Sequence, residues 1–477
     1  MIRQIAGVST RPATYLVDWR RIVAWATTAS GIWTIWIITR AIMMMNLIVG
    51  QHYADPQFYQ YAGDLAQGKL PYISIPVEYP PLALLLILIP ALPLLPFAAI
   101  APRPGPDLHT FIVPHLDPSR YGAYGMSFGV FMMAIDALTL VLVMRVAQRY
   151  TFNDAAGRWS GLIYTLLGMA SGAVLQKFDL AVGTLCLLAV VMLLEKRDGW
   201  AWAFLAMATL TKGYPILLAP LFICWSFYNK QLDWTALRRA IVGGGVTCFT
   251  VVGPVLLAAG IQPLLDSVLY HADRGIEIES TWGSIMMATT NVHGLAATTG
   301  MSLADLSLDI HSALENPLAQ SAMPALIVFT VVAYLLFWYR LHLTNLRFTA
   351  QIDDSQPSQQ IMFTYLIQIT IAVSLIFMLT FRAFPAHYLL AILPLVAVLR
   401  LPDRYTMWWL TLLVVSMILG QLAVSFWSQI ALLEPGPTLL LIGRNVLLVL
   451  SCIVLLRAPV LSLWQAKTAE RCLIAAN

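Results

Sequence analysis

Three acids lie in a polar stretch that separates two very apolar parts of the chain. This first polar loop, residues 50–81, contains the sequence DPQFYQYAGDLAQGKLPYISIPVEYPP with Asp55, Asp64 and Glu78. A carboxylate that faces a bound hydroxyl group can act as a general base. Partial burial raises the pKa of such a carboxylate toward the working pH. The loop is therefore a candidate site for proton transfer at a membrane surface.

Aromatic rings accompany these acids, among them Phe58, Tyr59, Tyr61 and Tyr72. The face of an aromatic ring is apolar, whereas its polar edge groups form hydrogen bonds. Such rings can therefore stack on a sugar ring. The alternative is a solvated loop whose rings lie at the membrane–water interface. The residue types alone leave both interpretations open.

Positive charge recurs in three later polar turns. His271 and Arg274 lie in YHADRGIEIESTWGS, Lys212 in TLTKGYP, and Arg382 and His387 in TFRAFPAHYLL. Arginine suits bidentate binding of phosphate. If these turns meet in the fold, they form a site for an anionic ligand such as a lipid phosphate. Each residue alone is also explained as an interfacial side chain or as the partner of a neighbouring acid.

Two further acids have less defined roles. Asp179 follows Lys177 in SGAVLQKFDLAVG, and this turn becomes functional only if it folds over the first polar loop. Asp136 lies inside FMMAIDALTLVLVM, where an acid is costly and is a candidate for function. Asp136 is either a proton or ion relay or a hydrogen-bond partner of another helix, and we favour the second interpretation.

The composition specifies the class of protein that positions these residues. Of 477 residues, 59% are hydrophobic and only 11% are charged, compared with about 25% charged in soluble domains. We therefore predict an all-α, polytopic membrane protein with a single integral membrane domain, residues 1–477. Its small basic excess of +4 is scattered, so we expect no nucleic-acid partner. The five cysteines form no CxxC pair, and we predict no zinc framework, disulfide or cofactor.

A spanning helix requires about 20 apolar residues. The sequence offers candidates that together predict about 11–13 transmembrane helices: residues 22–49, 80–100, 122–147, 159–176, 179–195, 200–211, 213–228, 240–262, 321–339, 361–381, 386–400, 405–426 and 437–457. Repeated prolines interrupt the stretch 80–100, which favours a re-entrant or half-crossing element.

Loop charges predict the orientation, because Lys and Arg accumulate on the cytoplasmic side. The basic N-terminus is predicted to be cytoplasmic. The first polar loop and a second polar loop, residues 263–320, are predicted to lie outside. Within the second loop, IMMATTNVHGLAATTG (residues 285–300) predicts a surface helix.

The arrangement resembles the GT-C superfamily of polytopic glycosyltransferases, and most closely its family 87. That family contains mannosyltransferases that use polyprenyl-phosphate-mannose. The resemblance rests on an early Asp after the first helix, followed by YAGDLAQGKLPY and EYPPL. The turns KFD, TKGYP and FPAHYLLAILPL also fall where the family has its outer turns.

The resemblance implies a hexose transfer, with mannose favoured, from a polyprenyl-phosphate donor to a lipid or glycan acceptor on the outer face, with inversion. Asp55 would be the general base, with Asp179 as a second outer acid. Residues that bind the acceptor or tune the base would be Asp64, Glu78, Tyr59 and Tyr72. Residues that bind the donor phosphate would be Arg274, His271, Lys212, Arg382 and His387. No metal is required by this reading, although a divalent ion is compatible with it.

Two other classes of function remain open at this point. A transporter or lipid-linked-sugar flippase would explain the broken helices and Asp136. A non-catalytic membrane subunit would leave the acids of the first polar loop insensitive to substitution. For every class we expect a multi-pass protein of a plasma membrane, and a bacterial one is favoured.

Overall fold

The structure is a computed structural model, and it describes residues 19–50, 55–97, 118–151, 153–228, 234–302, 307–348 and 356–459. The described residues form eighteen α-helices, which are α1 (Trp19–Ala26), α2 (Ala29–Gly50), α3 (Pro56–Ala66), α4 (Pro81–Leu88), α5 (Pro118–Thr151), α6 (Asp154–Ser171), α7 (Asp179–Leu194), α8 (Asp198–Thr211), α9 (Ala219–Tyr228), α10 (Trp234–Ala259), α11 (Gln262–Asp273), α12 (Thr281–His293), α13 (Glu315–Phe348), α14 (Gln356–Thr380), α15 (Leu393–Val398), α16 (Asp403–Ser425), α17 (Trp427–Ala431) and α18 (Pro435–Arg457). They also form three 3-10 helices, Ile89–Phe97, Tyr214–Leu218 and Ala386–Ile392, and one hairpin of strands β1 (Ala297–Ser302) and β2 (Ser307–Ser312).

Helices of membrane-crossing length confirm the predicted all-α polytopic class. Seven stretches in the described part of the chain are long and apolar enough to cross: Ala29–Val49, Tyr121–Tyr150, Trp234–Ala259, Glu315–His342, Gln359–Thr380, Arg404–Ser425 and Pro435–Arg457. Four apolar helices are shorter: Pro81–Leu94, Asp179–Leu194, Tyr214–Phe227 and Ala386–Val398. The predicted count of about 11–13 crossings included these shorter helices, and that count stays a prediction.

The bundle buries some helices and exposes others. Most residues of α14 are buried, and α7 and α15 pack against it. In contrast, α10 packs mainly on α8 and exposes large apolar side chains such as Phe249 and Leu257. An exposed apolar face is what a helix presents to lipid. The described interior therefore includes the long helix α14 with the short helices α7 and α15, whereas α10 has the exposed apolar surface of a lipid-facing helix.

The proline-rich stretch 80–100 is broken, as its prolines predict. Helix α4 begins at Pro81, where the missing N–H of proline leaves no helical hydrogen bond unmade. The chain then tightens into the 3-10 helix Ile89–Phe97, which contains three more prolines. Residues 98–100 lie outside the described part of the chain.

The second polar loop folds into α11, α12 and the β1–β2 hairpin. Helix α12 ends where Gly294 adopts a left-handed conformation, and β1 follows in antiparallel register with β2. The prediction of one surface helix over residues 285–300 is therefore wrong in its second half. Met286 and Met287 of α12 are buried in a small apolar cluster beneath the loop. This cluster anchors the loop to the bundle.

Candidate active site

A cavity of about 180 Å³ lies where several helix ends and turns meet. Its lining residues are Asp55, Gln57, Phe58, Glu78, Tyr79, Lys177, Phe178, Asp179, Lys212, Arg274, Glu277, Ser307, Pro385, His387 and Tyr388. The first and second polar loops and three later turns thus converge on one space. The expected meeting of cationic turns is observed for Lys212, Arg274 and His387.

Helix ends position the acids at this cavity. Asp55 is the N-cap of α3, and its Oδ1 accepts a hydrogen bond from the backbone N–H of Gln57 at 3.0 Å. Pro56 then begins the helix, as proline at this position favours. Asp179 is the first residue of α7, where the helix dipole also favours a negative charge. Both carboxylates are held by local helix geometry.

The turn between α6 and α7 folds against the first polar loop. Lys177 Nζ lies 2.6 Å from Asp55 Oδ2. Burial alone raises the pKa of Asp55, but the charge and hydrogen bond of Lys177 outweigh it, so that pKa lies below its ordinary value. Burial lowers the pKa of Lys177, and Asp55 raises it above the ordinary value. Asp55 is therefore an ionised carboxylate with a cation on one oxygen.

A second ion pair, between Lys212 and Asp179, also lines the cavity. Lys212 follows α8 directly, and its Nζ donates to Asp179 Oδ1. The same Nζ lies 3.4 Å from the centre of the Tyr388 ring, and His387 Nε2 lies 4.0 Å from Asp179 Oδ2. Burial lowers the pKa of Lys212, which Asp179 partly offsets. Lys212 is thus held by a carboxylate and by an aromatic face.

A third group joins the two polar loops. Arg274 Nη2 lies 3.7 Å from Glu277 Oε1, while Glu277 Oε2 is buried without a hydrogen-bond partner in the described part of the protein. Burial raises the pKa of Glu277 to about 7, which Arg274 opposes. Burial also raises the pKa of Glu78, which a hydrogen bond from Tyr270 opposes. Glu277 is therefore a group of the cavity that can change its protonation state near neutral pH.

Aromatic rings form one wall of the cavity. The ring centre of Phe58 lies 5.9 Å from that of Tyr79 and 5.4 Å from that of Phe178. Tyr79 and Phe178 are 5.5 Å apart and nearly perpendicular. An apolar wall beside charged groups is a common arrangement in sites that bind sugars and other amphipathic ligands.

Three residues predicted for this site lie elsewhere in the first polar loop. Asp64 Oδ1 pairs with Lys69 Nζ at 2.9 Å and is not part of the cavity lining. Tyr59 is buried against two tyrosines of α5. Tyr72 is also buried, and its hydroxyl donates to the backbone carbonyl of Tyr79. The two tyrosines stabilise the loop because their rings and hydroxyls are used in packing.

Two residues predicted to bind the donor phosphate, His271 and Arg382, are not among the described residues that line the cavity. The side chain of His271 lies outside the part of the chain that the structure describes. Arg382 is absent from the cavity lining, because its guanidinium donates to the backbone carbonyl of Ala319 at 2.8 Å and to that of Arg274 at 3.0 Å. Arg382 therefore positions the backbone of Arg274 instead of facing the cavity.

Arg444 of α18 is a buried arginine that supports the site and was not predicted from the sequence. Its guanidinium donates to Glu279 Oε1 at 3.1 Å and to the carbonyl of Phe384 at 2.8 Å, while Asn445 donates to the carbonyl of Ser280 at 3.0 Å. These bonds join the second polar loop to the turn that carries His387. A charge inside an apolar stretch was the available signal.

Carboxylates and imidazoles near the cavity also raise the question of a metal. Among the described residues, no group of three or more His, Cys, Asp or Glu side chains is placed to hold a metal ion. The carboxylates at the cavity are instead matched with Lys and Arg.

Sequence comparison identifies the family of the chain. The model of glycosyltransferase family 87 matches residues 78–352, more than half of the chain. The chain belongs to glycosyltransferase family 87. The resemblance noted from the sequence is thereby confirmed. None of the curated proteins compared with the chain is similar enough to count as a match.

A member of family 87 is a membrane glycosyltransferase, and the multi-pass fold agrees with that activity. Family membership therefore selects the enzyme interpretation over the transporter and subunit interpretations. The match begins at Glu78, so Asp55 lies before the matched region and Lys177 lies inside it. Lys177, Lys212, Arg274 and the second polar loop lie inside the matched region. Asp55 is linked to that region by its ion pair.

Proposed function

We propose that this family 87 enzyme transfers a hexose, with mannose favoured, from a polyprenyl-phosphate donor to a lipid or glycan acceptor. The transfer inverts the configuration of the anomeric carbon and takes place at the outer face of a plasma membrane, with a bacterial membrane favoured. The N-terminus lies in the cytoplasm. One observation carries the proposal: an ionised carboxylate, Asp55, faces the same cavity as Lys177, Lys212 and Arg274. A base for a hydroxyl and cations for a phosphate are thus side by side.

The chemistry assigns a role to each group. The acceptor oxygen bonds to the anomeric carbon of the sugar as its proton passes to Asp55. The bond between that carbon and the phosphate oxygen breaks, and the prenyl phosphate leaves with the electron pair. Lys212 and Arg274 stabilise the negative charge of the leaving phosphate. The wall of Phe58, Tyr79 and Phe178 packs against the sugar ring.

The test is a transfer assay on purified protein in nanodiscs. Radiolabelled polyprenyl-phosphate-mannose and a lipid extract are supplied to the wild type, Asp55→Asn and Asp64→Asn. We expect Asp55→Asn to lose about 10²–10⁴-fold in rate, the usual contribution of a general base. Asn is as good an N-cap as Asp, so α3 keeps its start. Asp64→Asn is the matched control from the same loop.

The outcomes separate the parts of the proposal. Equal transfer by the wild type and Asp55→Asn would remove Asp55 as the base. Transfer from glucosyl or galactosyl donors but not from the mannosyl donor would replace mannose. No transfer from any polyprenyl-phosphate hexose, with folding shown by size-exclusion chromatography, would overturn the donor class.

A further inference from the structure

The three ion pairs at the cavity differ in how firmly the cation is held. Lys212 lies between Asp179 and the Tyr388 ring, and its side chain is 16% exposed. The side chain of Arg274 is 10% exposed beside Glu277. Lys177 and its partner Asp55 are the most accessible pair, with side chains 21% and 23% exposed. Of these three cations, Lys177 is the one best placed to change partner.

The chemistry of lysine permits such a change. Its ammonium is a compact charge on a flexible four-carbon stem, and it needs no fixed fork geometry. Lys177 belongs to the turn between α6 and α7, and the charges of Asp55, Asp179 and Glu78 all act on it. Its Nζ lies 5.6 Å from the centre of the Phe58 ring, in the aromatic wall. A small rotation therefore moves the charge within the cavity.

The pairing of Lys177 with Asp55 conflicts with the role of a base. Asp55 Oδ1 accepts from Gln57 N, and Oδ2 accepts from Lys177. An acceptor hydroxyl would compete with an ammonium for Oδ2. The same ammonium stabilises the carboxylate and so makes it a weaker proton acceptor. Efficient proton transfer requires this contact to be relaxed.

We propose that Lys177 is a positioning residue that transfers its ion pair from Asp55 to the donor phosphate when the donor binds. This proposal rests on the proposed function and adds an order of substrate binding, in which the donor binds before the acceptor. The ammonium keeps its protons throughout. The acceptor proton passes to Asp55, and the prenyl phosphate leaves with the electron pair of the broken bond to the sugar. Lys177 returns to Asp55 when that phosphate dissociates.

The proposal predicts that Asp55 and a phosphate compete for one ammonium. Binding of farnesyl phosphate, a short prenyl monophosphate, would be measured by calorimetry in nanodiscs. Lys177→Met should weaken binding at least about fivefold, and Asp55→Asn should strengthen it by a similar factor, because coupling between sites commonly has this size. Asp64→Asn should bind as the wild type does.

The double variant Lys177→Met/Asp55→Asn separates competition from simple repulsion. If Asp55 acts through Lys177, Asp55→Asn no longer strengthens binding once Lys177 is removed. If Asp55→Asn strengthens binding equally in both backgrounds, Asp55 only repels the phosphate, and the proposal is overturned. Wild-type affinity in Lys177→Met also overturns it. Should Lys177→Met not fold, Lys177→Gln replaces it in every arm.

A kinetic readout excludes a merely structural role. Lys177 holds the pKa of Asp55 down, so Lys177→Met should move the acidic limb of the pH profile of kcat/KM to higher pH. An unchanged limb in a folded, active variant would overturn the proposal. If no variant binds farnesyl phosphate and none transfers a hexose, the proposed function itself fails. Binding that is insensitive to Lys177 overturns only the exchange of ion pairs.

Discussion

Two carboxylate–cation pairs in this protein show opposite designs. Asp136 lies within the bundle, where it accepts from Arg40 Nε at 2.8 Å, Trp36 Nε1 at 2.6 Å and the Tyr164 hydroxyl at 2.6 Å. Arg40 and Asp136 are almost completely buried, at 1% and 0% exposure. Among the described residues, Asp55 accepts from Lys177 and from the N-terminus of its own helix, and its pair opens onto the cavity.

The comparison distinguishes a carboxylate that can exchange its cationic partner from one that can only stabilise the fold. A buried carboxylate surrounded by fixed donors cannot exchange a partner without leaving another charge unpaired in an apolar medium. The relay interpretation of Asp136 therefore has no support, and the hydrogen-bonding interpretation agrees with the contacts. Asp55 has a partly exposed cation as partner and a cavity beside it. Exchangeable pairing is what the proposed role of Asp55 as a general base requires.

The largest expected effect is on stability, and it compares the same substitution, Asp to Asn, in the two ion pairs. Asp136→Asn should lower the free energy of unfolding by about 3–5 kcal/mol, because Arg40 loses its counter-ion in a buried site. Asp55→Asn should leave the unfolding temperature close to that of the wild type. Thermal unfolding followed by tryptophan fluorescence measures both variants. A stable Asp136→Asn that has lost transfer would place chemistry at the mid-membrane pair.

A smaller effect is expected when Arg444, the buried arginine that supports the cavity, is replaced. Arg444→Met should lower the free energy of unfolding by about 1.5–3 kcal/mol, because Glu279 loses a charged hydrogen-bond donor in a buried site. Adding Glu279→Gln should recover part of that loss, since the second change removes the uncompensated charge. The same thermal assay compares the two variants. Equal unfolding temperatures for Arg444→Met and the wild type would contradict the role of this arginine.

The apolar helices and the acids of the first polar loop could be predicted because both are local properties of the sequence. The length of the apolar stretches identified α2, α5 and α18. The positive charges in polar turns identified Lys212 and Arg274 as residues of one site. These predictions need only short windows of sequence. They were limited by the short interior helices, whose length does not distinguish a crossing from a buried segment.

Pairing between distant residues could not be predicted in the same way. The contact of Asp55 with Lys177 joins residues 122 positions apart, and that of Asp136 with Arg40 joins residues 96 positions apart. The first contact depended on a stated condition, that the turn at Lys177 fold over the loop, and a short window of sequence cannot decide whether this condition is met. Arg40 lies inside an apolar stretch, and the rule that intramembrane charges need partners could have identified it.

A third prediction concerns pH at the cavity. Glu277 has a pKa of about 7, so it is neutral below that pH and negative above it. A negative Glu277 repels a phosphate. Binding of farnesyl phosphate to the wild type should therefore weaken about fivefold more between about pH 6 and about pH 8 than binding to Glu277→Gln. Calorimetry at both pH values measures the difference, in which titration of the phosphate cancels. Parallel pH dependence in the two proteins would remove Glu277 from the site.

The smallest expected effect concerns Asp64, the acid of the same loop that lies outside the cavity. Its partner Lys69 is 47% exposed, and an ion pair with so exposed a partner contributes about 0–1 kcal/mol. The local fold depends instead on the backbone carbonyl of Asp64, which accepts from the N–H groups of Gln67 and Lys69. That carbonyl remains in Asp64→Asn.

We therefore expect Asp64→Asn to unfold within about 1 kcal/mol of the wild type, because asparagine keeps the shape of this buried side chain and its partner Lys69 is exposed to water. Its transfer rate should stay within about twofold, because the carboxylate pairs with Lys69 and is not part of the cavity lining. The assay that tests Asp55→Asn measures this variant beside it. A tenfold loss, about 1.4 kcal/mol in the barrier, would return Asp64 to the acceptor site. Burial and pairing would then be insufficient to separate a reactive acid from a structural one in this loop.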